Sequence, residues 1–340
     1  MAISYTGQTT IYGPNLVPVL REIFFENQTI SSGWVTFNDD MKAGTLITNA
    51  SISVTAQAYT GAALSSSGTI SVTDRAVTLT KLEYKQTFLD EAIRAGRFNQ
   101  SMAKGAWNIE SNEFNTKVLG MYAPKVSADA ETLFWGGVTA AQQVLVAGLS
   151  PGAGQGSITA AAQTAFAALT PGLVDGIFSK AFHDNGAIGA YLKVTGTTVT
   201  AANIAAEVAK IFAKIPAKCM QDPNDPVIIY CPRAWKQLVY NANNAVGAAQ
   251  QINFTITGSD FGTSKVYYNG VEMVFVPVPS DLWAYANNVS RVMWNTDSKD
   301  DVSKVEIGKT ANDGDTRYLR AIYTIHTHIA DAANGVLYGG

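Results

Sequence analysis

A chain of 340 residues has room for one large domain or two of ordinary size, with an ample core. Hydrophobic residues make up 47% and charged residues 15%, which marks a globular chain but is sparse in charge for a freely soluble monomer and tilts the reading towards an obligate assembly with core-like contacts. The formal net charge of −3 supplies no basic field for gripping nucleic acid tightly. Cys219 and Cys231 are too few for a disulfide framework, which fits synthesis in a reducing cytoplasm. The start, MAISYTGQTTIYG, has no signal-peptide pattern, and no apolar run approaches bilayer-spanning length. The glycosylation sequons at Asn27 and Asn253 are read as chance matches.

Residues 1–38 are polar and aromatic, and Gly7, Gly13, Pro14 and Pro18 interrupt regular structure. They read as an arm that packs on something else, with one short amphipathic helix in NLVPVLREIFFEN. Phe24, Phe25 and Trp34 argue against disorder. From residue 44 to 88 the period becomes two: Ile52, Val54 and Ala56 alternate with serine and threonine, then Val72, Val77, Leu79, Leu82 and Tyr84 continue the pattern. The Gly/Ser-rich TGAALSSSGT between them predicts the tip of a long projecting hairpin. Such a hairpin is marginal alone in water and would be steadied by a neighbouring subunit.

After a short helix at 90–98, residues 107–137 dominate the chain. Phe114, Val118, Met121, Tyr122, Lys125, Val126 and Leu133 recur at helical steps opposite a polar face. This predicts a spine of about 45 Å, kinked or interrupted at Pro124 and stopped at Gly136-Gly137. Residues 138–170 are rich in Ala and Gly and read as loops and short elements of an insertion. Residues 172–186 look helical, with Val174, Ile177, Phe178 and Ala181 on one face. Residues 200–216 give a clean helix capped by Thr200 and ended by Pro216. VIIYC at 227–231 reads as a buried strand, and Pro232 opens another helix. Strands are expected at 265–268 and 271–276 about an Asn269-Gly270 turn, then at 282–294, 302–307 and 317–329.

Catalytic, cofactor-binding and metal-ligating constellations are not found. His326 and His328 share one strand face, but no HExxH or CxxC supplies further ligands, so they read as two solvated strand histidines. His183 beside Asp184 reads as a helix-end cap or surface group. Gly152, Gly154 and Gly156 lack the strand and the Gly-Lys-Ser/Thr of a phosphate loop. Cys219 and Cys231 read as small buried hydrophobes. The acidic turns at 297–301 and 312–315 lack EF-hand spacing.

The order of parts resembles the major capsid proteins of tailed bacteriophages, which have an α+β HK97-like capsid fold. ITNASISVTAQAY with GTISVTDRAVTLTKLEYKQTF is similar to that family's extended loop, and EFNTKVLGMYAPKVSADAETLFWGG to its spine helix. TAANIAAEVAKIFAKIPAKCMQDPNDPVIIYCPRAWKQLVYN and GVEMVFVPVPSDLWAYANNVSRVMWNTDSKDD resemble its axial domain. VEIGKT with TRYLRAIYTIHTHIA resembles the strand returning to its peripheral domain. The resemblance spans most of residues 20–330; the segment 138–170 and Pro124 depart from it.

The resemblance implies an N-terminal arm at 1–38, an extended hairpin loop at 39–88 and a peripheral domain with the spine at 89–170. It implies an axial domain at 171–300, and a returning strand and C-terminus at 301–340. It implies pentamers and hexamers of the chain closing an icosahedral shell around loosely contacted double-stranded DNA, with no membrane. A separate scaffolding protein (or a processed form of this chain), a portal and a decoration protein would be the other partners. Candidate inter-subunit contacts are Asp39, Asp40 and Lys42 at the hairpin base, Gly61 and Gly68 at its tip, and Arg75, Lys81, Glu83 and Lys85 along it. Lys42, Lys81 and Lys85 lie away from the tip, so a lysine–asparagine crosslink of the kind some relatives form is not expected. An encapsulin-type nanocompartment shell is the second reading, and an enzyme with a site assembled from distant residues is a distant third.

Overall fold

The computed structural model describes residues 9–12, 27–54, 68–89, 112–148, 160–188, 192–245, 254–258, 261–262, 264–278, 280–297, 304–310, 313–331 and 334–339. In chain order they form β1 (Thr9–Tyr12), α1 (Gln28–Ser31), β2 (Thr36–Asn38), β3 (Leu46–Val54), β4 (Gly68–Ala76) and β5 (Thr80–Leu89). Then come α2 (Asn112–Gly136), α3 (Ala140–Ala147), α4 (Ala160–Ala167), α5 (Ile177–Ile188), β6 (Leu192–Thr195), α6 (Ile204–Lys214), β7 (Val227–Pro232) and α7 (Arg233–Ala245). The chain closes with β8 (Phe254–Thr257), β9 (Lys265–Tyr268), β10 (Val271–Val276), β11 (Trp283–Asn288), β12 (Val292–Asn295), β13 (Lys304–Thr310), β14 (Asp313–Ile329) and β15 (Val336–Gly339). The helices expected in NLVPVLREIFFEN and at 90–98, and the glycines at 152–156, lie outside the described residues.

Among the described residues the strands form three sheets. The first is built on β14, whose residues pair with β13 along one edge, with β5 along the other, and at the far end with β12. Strands β1 and β2 extend it at its margins. The second is a seven-stranded mixed sheet in the order β6-β15-β11-β7-β10-β9-β8. The third is the isolated pair β3-β4.

The seven-stranded sheet is buried on both faces, which is why VIIYC has no polar alternation. Ile228 and Tyr230 of β7 enter one core with Phe134, Trp135, Phe178, Trp283 and Trp294. Ile229 and Cys231 enter a second core with Val208, Ile211, Trp235 and Val239 of the covering helices α6 and α7. Alternate residues of one strand thus serve two hydrophobic layers.

The sequence predicts one long helix, kinked or interrupted at Pro124; α2 is continuous through Pro124, so the chain is not interrupted there. The proline is on the exposed side of the helix, where solvent can take up the carbonyl that loses its backbone partner. Its C-terminal half buries Ala130, Phe134 and Trp135 completely. Beyond it the chain passes close to its own later segment: Gly176 N–H donates to Gly137 O at 2.8 Å. A Cβ on Gly176 would lie 2.7 Å from the Trp135 carbonyl, so only glycine fits.

Several sequence expectations move. The run 80–89 does not continue the hairpin; as β5 it pairs with β14 over Thr316–Ile325, because Leu82 and Tyr84 find apolar partners there. Residues 138–170 hold short elements as expected, α3 and α4, and these place Val146 and Phe166 in the first core. The run 282–294 splits: β11 belongs to the seven-stranded sheet, whereas β12 belongs to the sheet of β14. Helix α6 starts at Ile204 with Asn203 at its N-cap position, and Thr200 instead donates its backbone N–H and hydroxyl to the Asn203 Oδ1. Strand β15, not anticipated, inserts between β6 and β11.

Candidate functional site

Among the described residues the ribbon β3-β4 pairs with no other strand. Its register pairs Leu46 with Ala76, Thr48 with Asp74, Ala50 with Val72, Ile52 with Ile70 and Val54 with Gly68. Directly opposed residues share a face, so these positions make one side that is apolar toward the tip and interrupted near the root by Thr48 and Asp74. The other side is Ile47, Asn49, Ser51 and Ser53 against Arg75, Thr73, Ser71 and Thr69. Leu46, Ile70 and Val72 are 59%, 68% and 57% exposed. A two-stranded ribbon with an uncovered apolar face is marginal alone and suited to covering by another surface.

The root of the ribbon is fixed. Val77 is buried, its N–H donates to Thr45 O at 2.8 Å, and Gly44 N–H donates to Val77 O at 3.0 Å. Asp40 forms a β-bridge with Asp297, and Met41 N–H donates to Thr296 O at 3.1 Å. The ribbon therefore springs from the end of β12 as a two-point attachment.

Beside this root lies a cavity of about 340 Å³, walled by Arg75 and Thr78 of the ribbon root, Asp175 and Lys180 around the start of α5, and His326 and His328 of β14. The histidines are not solvated, as the sequence pattern suggested: only 7% and 4% of each is exposed. Tertiary packing of the ribbon root over the even-numbered face of β14 covers them. Their rings stack with centroids 5.8 Å apart. The His326 Nδ1 is 3.0 Å from Thr78 O, while its buried Nε2 has no hydrogen-bond partner. Burial, followed by the nearby Lys180 and His328, pushes the His326 pKa down to about 3, against the opposing Thr78 contact. Asp175 is engaged elsewhere, its Oδ1 accepting from Thr139 N–H at 2.8 Å. No group of three His, Cys, Asp or Glu side chains among the described residues could hold a metal ion.

The candidate contact residues fall into separate places. Asp39 is half-buried beside the Asp40 bridge, and Lys42 is exposed in the turn leading to β3. Gly68 begins β4 opposite Val54, and Gly61 lies outside the described residues. Arg75, half-buried opposite Ile47, joins the cavity wall. Lys81, Glu83 and Lys85 are on β5, opposite Thr324, Ile322 and Arg320. Glu83 accepts a hydrogen bond from Arg320 Nε within the same chain. Arg320 also reaches Glu306 at 3.5 Å. Sequence reasoning missed Lys180 and Thr78, since nothing local links a helix, a turn and a strand so far apart in the chain.

Other expectations resolve simply. Cys219 and Cys231 are buried and free. Asn27 of the first sequon is buried as the N-cap of α1, its Oδ1 accepting from Thr29 N–H at 2.9 Å. The side chains of His183 and Asp184 lie outside what is described. No helix among the described residues is long and apolar enough to cross a membrane.

No protein-family model matches the chain, and no curated protein does either. Solved structures match over nearly the whole length. The satellite phage P4 procapsid that includes the size determination (Sid) protein aligns at a TM-score of 0.56 and 13% identity, over 95% of this chain and 90% of that one. The capsid of a native GTA particle aligns at 0.52 and 10% identity, over 94% and 91%. The capsid of Myoviridae phage XM1 aligns at 0.50 and 11% identity, over 92% and 91%. These likenesses establish the fold, an α+β HK97-like capsid fold.

Proposed function

We propose that this chain is the structural subunit of a tailed-phage capsid, a major capsid protein whose copies assemble as pentamers and hexamers into an icosahedral shell. The observation that carries the reading is the β3-β4 ribbon, a strand pair that exposes Leu46, Ile70 and Val72 on one face, rooted firmly in a chain of capsid fold. A neighbouring copy is the partner that such a face fits, because burying it gains roughly 25 cal/mol per Å² of apolar surface. The low charge content suits a wall that confines double-stranded DNA without gripping it. A separate scaffolding protein, a portal and a decoration protein complete the partner set, the assembled virion is the destination, and host cytoplasm is the place of assembly. No catalysis is assigned to the chain.

The test is expression of the protein alone and with a candidate scaffold, followed by electron microscopy and light scattering after size exclusion. Closed shells, tubes, or discrete pentamers and hexamers support the reading. Replacing residues 46–76 by a short glycine linker should then abolish higher assembly while leaving the subunit folded. A subunit that stays monomeric with scaffold present overturns it. Particles holding protein cargo in place of DNA would favour a nanocompartment shell.

A further inference from the structure

We propose, on the capsid reading above, that the outer face of α3 together with Leu173 is the surface that receives the β3-β4 ribbon of a neighbouring copy. Helix α3 is built inside out. Gln142 is buried and its Nε2 donates to Ser179 O of α5 at 3.2 Å, while Gln143 is half-buried and its Nε2 donates to Leu169 O. The aliphatic side chains lie on the other side: Val144 is 73% and Leu145 50% exposed. Ala140 and Ala141, one turn earlier, and Ala147, one turn later, are exposed too. Helical spacing lines them up as one uncharged ridge. A surface helix of a lone subunit turns its polar residues to water and its apolar stripe inwards. The reversed pattern suits a face that another surface covers. Leu173, 68% exposed, continues the patch, because it lines the same hollow as Thr139 and Gln142 at the start of α3.

Charge and shape select the occupant. Residues 43–73 and 132–174 contain no Asp, Glu, Lys or Arg, and they are the two longest such runs in the chain. The first carries the ribbon up to Thr73, and the second carries α3 and Leu173. Together they hold six of the eight large apolar side chains that are exposed among the described residues. Pressing one surface on the other therefore strips water from apolar groups and hydroxyls but from no charge. The shapes also suit each other. Ala50, Ile52, Ile70 and Val72 share one strand face toward the tip, and the stable cover for such a face is a helix or a second sheet. Asp74 and Thr48 lie nearer the root, so the tip half is the part that docks. Within one subunit both surfaces stand exposed. With strands of nine residues, about 30 Å long, the ribbon has the reach to lie on a different copy. Donor and acceptor differ, so the contact is heterologous, and repeating it by rotation closes rings, the symmetry of pentamers and hexamers.

Both native cysteines are buried, so introduced thiols are read against a quiet background. Full-length Ile70→Cys and Val144→Cys chains are mixed, assembled with the candidate scaffold and treated with a short bismaleimide. Crosslinked dimers are expected in the mixture, roughly tenfold above either variant assembled alone. Dimers from Val144→Cys alone would mean that α3 meets α3, and intact particles without crosslinks in the mixture would mean that the ribbon lies elsewhere. Either result overturns the proposal. Val144→Ser with Leu145→Ser should cut particle yield about tenfold without moving the thermal midpoint of the subunit, because both side chains are already exposed. Unchanged yield overturns the proposal, and this variant decides the matter if a cysteine chain does not assemble. Loss of scaffold co-elution in the serine variant, with no crosslink in the mixture, makes scaffold the occupant and overturns it too. Wild-type protein run in parallel separates the two readings. Wild-type particles beside failed crosslinks remove the α3 site alone, whereas wild type that stays monomeric with scaffold removes the capsid reading and this site with it.

Discussion

Phe134 lies face to face on Trp294, ring centroids 4.4 Å apart and planes 10° from parallel. Both side chains are fully buried, and the pair ties the long helix α2 to strand β12. Phe134→Ala removes that plate and leaves a cavity that large neighbours cannot close. A loss of ~3–5 kcal/mol of folding stability is expected. Urea unfolding followed by tryptophan fluorescence reads it as a lower midpoint at unchanged slope.

Glu131 links the same helix to two distant segments. Its Oε1 accepts from Thr29 Oγ1 at 2.6 Å and its Oε2 from Arg233 Nη2 at 3.0 Å. Thr29 Oγ1 in turn accepts from Trp135 Nε1 at 2.9 Å. Glu131→Ala leaves the buried Thr29 hydroxyl without its acceptor, whereas Arg233 can turn to water. The expected cost is ~1–3 kcal/mol. Arg233→Ala should cost clearly less, and thermal melts of the two variants side by side would expose a reversed order.

Glu207 should make stability depend on pH. Burial disfavours its charge, but hydrogen bonds from Lys210, Tyr338 and Thr197 outweigh that and lower its pKa. A lowered carboxylate contributes stability that is full above its unfolded value and is lost as pH falls through the folded value. Glu207→Gln should therefore cost ~1.5–3 kcal/mol at neutral pH. The gap from wild type should shrink as the solution passes below about pH 4. A gap that is constant with pH would rule out the charged form as the source.

The exposed ribbon face separates assembly from folding. Ile70→Ser with Val72→Ser alters side chains that the subunit itself leaves more than half exposed. Subunit stability should stay within about 0.5 kcal/mol of wild type, while the yield of shells or tubes collapses. Unchanged particle yield in electron micrographs would contradict the role given to this face.

The two thiols should report global unfolding. Burial raises both pKa values, that of Cys231 far more, and no disulfide joins them. Native protein should resist a thiol-specific reagent at pH 8, and both groups should react in denaturant. Rapid labelling of Cys231 in the native state would show that the second core opens locally.

The order of elements was legible in local pattern. Helical period marked the long helix, alternation marked the ribbon and β14, and Asn269-Gly270 marked a turn whose two residues do adopt positive φ. Those signals are local, because side-chain direction repeats with the backbone and a few neighbours suffice to fix it. Even Pro124 misled only about continuity, since a proline on the wet side of a helix costs less than its pattern suggests. Which strands share a sheet was set by long-range packing. β5 left the hairpin for β14, one apparent strand divided into β11 and β12, and β15 entered the seven-stranded sheet. It also decided that His326 and His328 are buried beside Lys180 rather than solvated. Strand pairing and burial depend on partners hundreds of residues away, and alternation in one strand says which residues share a face but not what will cover it.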